Sequence, residues 1–171
     1  MQSLFHHWRQ DLRSYAGDWT QQGFWALAVH RFGAWRYLVK VGPIRKIFSC
    51  LYKVADKAVQ VFCGIELPCE AAVGSGTRID HFGGVIVSGY ASIGDGCVIR
   101  QGVTIGLKNE DEPCAPQIGN GVNIGAGAKL LGDITIGDGA VIGANAVVLH
   151  NVPPRHLAVG IPARIQPLKN P

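Results

Sequence analysis

From Leu67 onward an aliphatic residue returns at every sixth position: Leu67, Val73, Ile79, Val85. The count slips by two, resumes at Ile93, Ile99 and Ile105, and runs again through Ile118, Ile124, Leu130, Ile136, Ile142 and Val148. Many of these are followed by Gly, and a small or branched residue sits four positions after most of them, as at Ala71, Thr77, Cys97, Val103, Ala128 and Ala140. An α-helix cannot use this period, because its faces repeat at 3.6 residues. Short strands can, provided the chain turns a corner at each glycine. The pattern therefore predicts a solenoid whose sides each send one aliphatic inward. A register held across thirteen aliphatics speaks against an ordinary β-sandwich.

Two interruptions are informative. The two-residue slip is expected at Gly89-Tyr90, as a widened corner. Residues 107–117 break the hexads, carry Glu110, Asp111 and Glu112 in a row, and contain two prolines, so they read as a loop extruded from the coil. Such insertions often build a solenoid's binding face. Pro153-Pro154 ends the hexads, and residues 153–171 are expected to leave the solenoid as a tail.

Before the repeat the periodicity is helical. Ser3 to Ala16 predicts one helix, and Thr20 or Gln21 to Lys40 a second, with Phe24, Leu27, Ala28, Phe32, Trp35 and Leu38 at helical spacing. Gly42-Pro43 opens a third, Ile44 to Phe62. It sets Ile44, Ile47, Leu51, Val54, Ala58 and Val61 on one side and mostly charged residues on the other. The chain thus divides into a helical segment, 1–64, and a solenoid domain, 65–171.

Composition refines this picture. Apolar residues make up 47%, enough for a core, and the 23 glycines are accounted for by corners. The net charge of +4 is uneven: residues 1–64 hold nine Lys/Arg against three Asp/Glu, residues 65–171 seven against nine. The basic half suits a solvated helix face or an acidic surface, with membrane-surface association a secondary reading. No nucleic-acid motif accompanies the charge. The five cysteines are odd in number and form no Cys-x-x-Cys pair, so neither disulfides nor a metal site is expected, and a reducing cytoplasm fits. Neither a signal peptide nor a membrane span is expected.

The solenoid contains one histidine before its last side, His81, which follows Asp80 and opens a Gly83-Gly84 segment. It should lie near a corner facing out. An imidazole titrating near neutrality suits proton abstraction from an alcohol.

The residues Asp80-His81-x-x-Gly84, Gly102-Val103-Thr104-Ile105-Gly106, Ile124-Gly125-Ala126-Gly127-Ala128-Lys129, Val152-Pro153-Pro154 and Gly160-Ile161-Pro162-Ala163-Arg164 together resemble the serine acetyltransferase family of hexapeptide-repeat acyltransferases. The resemblance implies a mainly β fold: a left-handed parallel β-helix of triangular section, with a small N-terminal α-helical segment. Residues 18 apart should then stack. It further implies that His81 is the general base, oriented by an acid fifteen residues upstream, here Glu66. Asp80 and, from the helical segment, Asp18 would contact the acceptor. Acetyl-CoA would lie in the groove between solenoids of a homotrimer, which could pair into a dimer of trimers. Ala126 and Ala144 would offer backbone contacts, and Lys129, Arg155 and Arg164 would be phosphate partners. The Gly106 N–H would be the oxyanion donor.

One departure bears on the acceptor. Where the family carries an Arg-His-Pro triplet that holds the serine carboxylate, this chain reads Cys114-Ala115-Pro116. Neither side chain can pair with a carboxylate. The sequence therefore predicts an acetyl-CoA-dependent O-acetyltransferase acting on a sugar hydroxyl, as in exopolysaccharide or capsule synthesis; serine O-acetylation is the alternative. A zinc hydratase on the same fold would need converging histidines, and a non-catalytic scaffold would lack affinity for acetyl-CoA.

Overall fold

The computed structural model describes residues 4–109, 111 and 113–168. Ser3, Glu110 and Glu112, which figure in the sequence reading, lie outside them. Three helices come first: α1 (Leu4–Ser14), α2 (Gln22–Trp35) and α3 (Gly42–Cys63). Pro43 occupies the first turn of α3, where its missing N–H would have no partner. Gly64 ends that helix in the left-handed conformation (φ 62°).

Fifteen short strands follow among the described residues, and parallel ladders arrange the first fourteen as a three-sided parallel β-helix. Face A stacks β1 (Ile65–Glu66), β4 (Val85–Val87), β7 (Thr104–Gly106), β10 (Lys129–Leu131) and β13 (Val147–Val148). Face B stacks β2 (Ala72–Val73), β5 (Ser92–Ile93), β8 (Gln117–Ile118) and β11 (Thr135–Ile136). Face C stacks β3 (Arg78–Asp80), β6 (Val98–Arg100), β9 (Asn123–Ile124), β12 (Val141–Ile142), β14 (His156–Val159) and β15 (Arg164–Pro167). The hexad aliphatics line the axis: Ile105, Ile124, Leu130 and Ile136 are fully buried, and the small residues Ala128, Ala140 and Ala146 fill the space between them. The expected stacking interval of 18 is met by Ile124 on Ile142 and Leu130 on Val148.

The ladders relocate the slip. Val87, not Val85, pairs with Ile105, and Val85 pairs with Ile65. Both valines point inward because they flank an exposed Ile86, so either could be counted as the hexad. The two extra residues therefore fall between Asp80 and Val85, not at Gly89-Tyr90. The amide of Gly102 donates to Gly83 O at 2.9 Å, which aligns Gly83-Gly84 with Gln101-Gly102 and leaves His81 and Phe82 as the insertion. The second break is as expected: Ile93 pairs with Ile118, an interval of 25, so the coil ejects seven residues, although Gln117 already belongs to β8.

One other expectation needs correction. The solenoid does not end at Pro153-Pro154. Val152 bridges Ile136 and β14 pairs with β12 in parallel, at an interval of 16. The corner after Val148 is two residues short, which breaks the sequence count without breaking the coil. β15 then turns back antiparallel against β14. The apolar stripe of α3 is not its buried face. Tyr52, Val59 and Cys63 pack inward, whereas Ile44, Ile47, Leu51, Val54 and Val61 are exposed.

The helices cover the open edge of the first coil. The Tyr15 hydroxyl accepts from Ile79 N at 2.8 Å and donates to Ile79 O at 3.2 Å. His30 Nε2 bonds Ala71 O at 2.9 Å. Arg31, paired with buried Asp11 at 3.0 Å, donates to Val73 O and, at 2.7 Å, to Gly74 O. Tyr52 accepts from Cys69 N at 3.1 Å. Strand edges that would otherwise be unpaired thus find partners. No helix among the described residues is long and apolar enough to cross a membrane.

Candidate active site

His81 sits in the insertion at the corner between faces C and A. Its φ is 60°, and both it and Phe82 are exposed. A β-strand cannot hold this backbone, so the corner lifts the ring out of the ladder. Above it the same corner is built of small left-handed turns: Gly84 (φ 69°), Gly102 (71°), Gly127 (74°) and Asn145 (56°). A Cβ at Gly84 would lie 3.4 Å from Gly102 Cα, and one at Gly102 would lie 3.4 Å from Gly127 Cα. Most corner positions along this edge of the prism are thereby glycine or alanine, with Gln101 and Asn145 the side chains that project there and the imidazole at its lower end.

Ala126 and Ala144 lie on that same edge. Asn145 N donates to Ala126 O at 2.8 Å, so the two alanines stack one coil apart as expected, Ala126 half-buried and Ala144 exposed. Lys129 points outward from face A, but its ammonium already donates to Gly102 O at 2.7 Å and Thr104 Oγ1 at 3.0 Å. It therefore braces that edge. Gly106 closes β7, its carbonyl accepting from Gly132 N at 3.0 Å. Arg155 and Arg164 are both exposed near the far end of the coil.

Glu66 is exposed on β1, opposite Ile86. It shares a cleft of about 240 Å³ with Gln60, Gly64, Gly84 and Ile86, and so reaches the His81 corner. The coil is 20 residues long here, so Glu66 stacks on Ile86, five residues past His81, and not on the histidine itself. No hydrogen bond joins Glu66 to His81 among the described residues.

Asp80 is half-buried and held by a residue that sequence reasoning missed. Arg78 pairs with it through Nε at 2.6 Å and Nη2 at 2.9 Å. Both project from the outer side of β3, since Ile79 between them points inward. That alternation was the available signal: a strand reading Arg-Ile-Asp before the histidine puts a cation and an anion side by side. Asp18 lies in the turn after α1, exposed. Thr20 donates to it from hydroxyl and amide at 2.6 and 2.9 Å, and the Gln21 side chain at 2.6 Å. Those bonds, from Thr20 first and then Gln21, hold its carboxyl below the usual range. Tyr15 ties this end of α1 to β3, so Asp18 and Asp80 lie at the same end of the molecule.

The extruded loop leaves from the other side of face A. Cys114 is exposed, but Ala115 is buried and belongs to the core cluster. Among the described residues no three His, Cys, Asp or Glu side chains are placed to hold a metal ion.

Comparison with known proteins places this arrangement. The bacterial transferase hexapeptide (six repeats) model matches residues 115–150. A serine acetyltransferase of Synechococcus elongatus is 40% identical over 144 residues, covering 84% of this chain and 56% of that protein. The soybean serine acetyltransferase complexed with serine superposes with a TM-score of 0.82 at 34% identity, covering 96% of this chain and 70% of the other. The Brucella abortus enzyme in complex with coenzyme A gives 0.80 at 31%, covering 94% and 66%. By sequence the chain spans little more than half the length of relatives such as the Synechococcus protein.

These relatives overturn the sugar acceptor read from the loop, since they are named for serine. The flaw is physical. The loop is not the one place to look for donors to a carboxylate: Ala115 is turned into the core, and Arg78 places a guanidinium beside Asp80. With its stacked hexads, its extruded loop and the likeness to these enzymes over nearly its whole length, the chain belongs to the serine acetyltransferase-like hexapeptide-repeat acyltransferases.

Proposed function

We propose that this protein transfers an acetyl group from acetyl-CoA to the hydroxyl of serine. His81 takes the hydroxyl proton; the alkoxide oxygen attacks the thioester carbonyl; the tetrahedral intermediate collapses to O-acetylserine, and the departing thiolate takes the proton from the imidazolium. The observation that carries this reading is the insertion at His81-Phe82. It holds the one solenoid histidine of the first coils outside the ladder, at the foot of an edge built mostly of glycine and alanine. A thioester arm can approach backbone closely along such an edge.

Serine is a zwitterion, and the Asp80–Arg78 pair matches it: the carboxylate faces the ammonium and the guanidinium faces the carboxylate. Asp18, kept ionised by its turn, adds a second anion at that end. Glu66 orients the His81 ring when substrate closes the cleft. The donor lies along Ala126 and Ala144, with the Gly106 amide toward the oxyanion and Arg155 and Arg164 toward its phosphates. We infer a homotrimer, because a single exposed edge needs a second wall to exclude water, and pairing of trimers is compatible with it. Residues 1–64 form the helical unit and 65–171 the catalytic one. The five free cysteines fit a reducing cytoplasm.

The test is acceptor-dependent release of free thiol from acetyl-CoA. Serine should support turnover, and nucleotide-sugars or oligosaccharide repeat units should not. Turnover with a sugar and none with serine would overturn the reading.

A further inference from the structure

The exposed face of α3 is unused by anything described above. Ile44, Ile47, Leu51, Val54 and Val61 follow one another at intervals of three, four, three and seven, a single row along the 22-residue helix. They are 44–68% exposed, and Phe62 at the end of the row is 81% exposed. Lys46, Lys53 and Lys57, spaced at seven and four, form a second row beside the first. The apolar row continues into a groove of about 670 Å³ between α2 and α3, which Trp8, Phe24 and Trp25 help to line. Trp25 is 45% exposed and Trp19, in edge contact with it, 61%.

Charge decides the occupant. A second copy laid face to face and antiparallel would bring two lysine rows together. The one acid among the described residues of α3, Asp56, is half-buried and bonded to Gln60, so it cannot answer them. Residues 1–64 as a whole carry nine cations against three anions. An apolar row, a parallel row of lysines whose long stems reach outward, and tryptophans at the margin are the composition of a helix lying in a lipid interface. We propose that α3 docks the protein on an anionic phospholipid surface, with Leu51 and Val54 in the acyl boundary and Lys46, Lys53 and Lys57 among the headgroup phosphates. The helix ends at Gly64, against Gly83 and Gly84 of the His81 corner, so the bilayer would lie at the end of the molecule that holds the site. The proposal does not depend on the acceptor.

Flotation of the full chain with phosphatidylcholine vesicles, alone or mixed with phosphatidylglycerol, tests it. Binding should require phosphatidylglycerol, weaken with salt, and blue-shift tryptophan emission. Lys46→Gln, Lys53→Gln and Lys57→Gln together should weaken it by about 100-fold, and Leu51→Ser with Val54→Ser should abolish it. All five residues are exposed or at the surface, and far-ultraviolet circular dichroism verifies folding. Absence of binding to the anionic vesicles, or binding indifferent to the lysines, would overturn the proposal. So would sedimentation showing that Leu51→Ser with Val54→Ser dissociates an oligomer while the parent chain ignores vesicles, which would make the face an interface between copies.

Discussion

His81 is a β-carbon-bearing residue in the left-handed region, a conformation that costs roughly 1–2 kcal/mol for residues other than glycine. The cost is tolerated because the insertion is what frees the ring. Asparagine adopts that region more readily than most residues, so His81→Asn removes the imidazole while sparing the backbone. Turnover should fall by about 10²–10⁴, with the melting temperature unchanged or slightly raised, as judged by thiol release and calorimetry. Full activity in this variant would remove the general-base mechanism. Arg78 makes a different prediction. If its guanidinium grips the serine carboxylate, Arg78→Gln loses one charge-assisted interaction of about 1.5–3 kcal/mol. The KM for serine should then rise roughly 10- to 100-fold while the KM for acetyl-CoA holds. A change confined to kcat would instead assign Arg78 to positioning Asp80. Arg78 was not legible from the motif, which names Asp80 and His81 but is silent on what stands two residues before the aspartate.

Among the elements, the helical segment carries a buried titratable group with a clear pH signature. His30 on α2 is buried and donates to Ala71 O, and burial pushes its imidazole down to about 4. Unfolded, it titrates near 6.5. Between those values the unfolded chain binds the extra proton, so stability is complete above about pH 6.5 and declines as pH falls toward 4. The span corresponds to roughly 3 kcal/mol. Chemical denaturation across that window should show this slope, and His30→Gln, which keeps a side-chain N–H but cannot charge there, should flatten it. The helices were read from sequence to within a few residues at each end, because 3.6 periodicity is a local signal. Which side of α3 is buried was not. The periodicity puts the aliphatic row on one side of the helix, but the solenoid end is met by Tyr52, Val59 and Cys63. The first coil presents polar strand edges, so the helices that meet it use Tyr15, His30, Arg31 and Tyr52 as much as apolar surface. The slip was misplaced for a related reason: Val85 and Val87 both point inward, and only pairing with Ile65 and Ile105 tells which is in register.

At the scale of the whole molecule, a solenoid is a stack in which each coil contacts only its neighbours, so its two ends decide whether the stack is closed. The last coil is closed by β15 folding back on β14. The first is closed by side chains, and Arg31 holds the most of them together: it joins Asp11 of α1 to the carbonyls of Val73 and Gly74 on face B. Asp11 is fully buried and Arg31 nearly so. Removing the cation by Arg31→Ala leaves a carboxylate without its partner inside the protein and two carbonyls without theirs, a loss of about 3–5 kcal/mol. Because coupling passes only between adjacent coils, the damage should be graded along the axis. Hydrogen exchange in the variant should rise most at the amides of β2 and β5, less at β8, and least at β11 and β12. Equal loss of protection along the whole stack would mean that the helices and the solenoid melt as one unit, and the end-cap description would fail. A graded loss would also predict an order of failure, since β3 and the His81 corner belong to the coil that the cap holds: acetyl transfer should be lost before the edge at Ala126 and Ala144 loses structure.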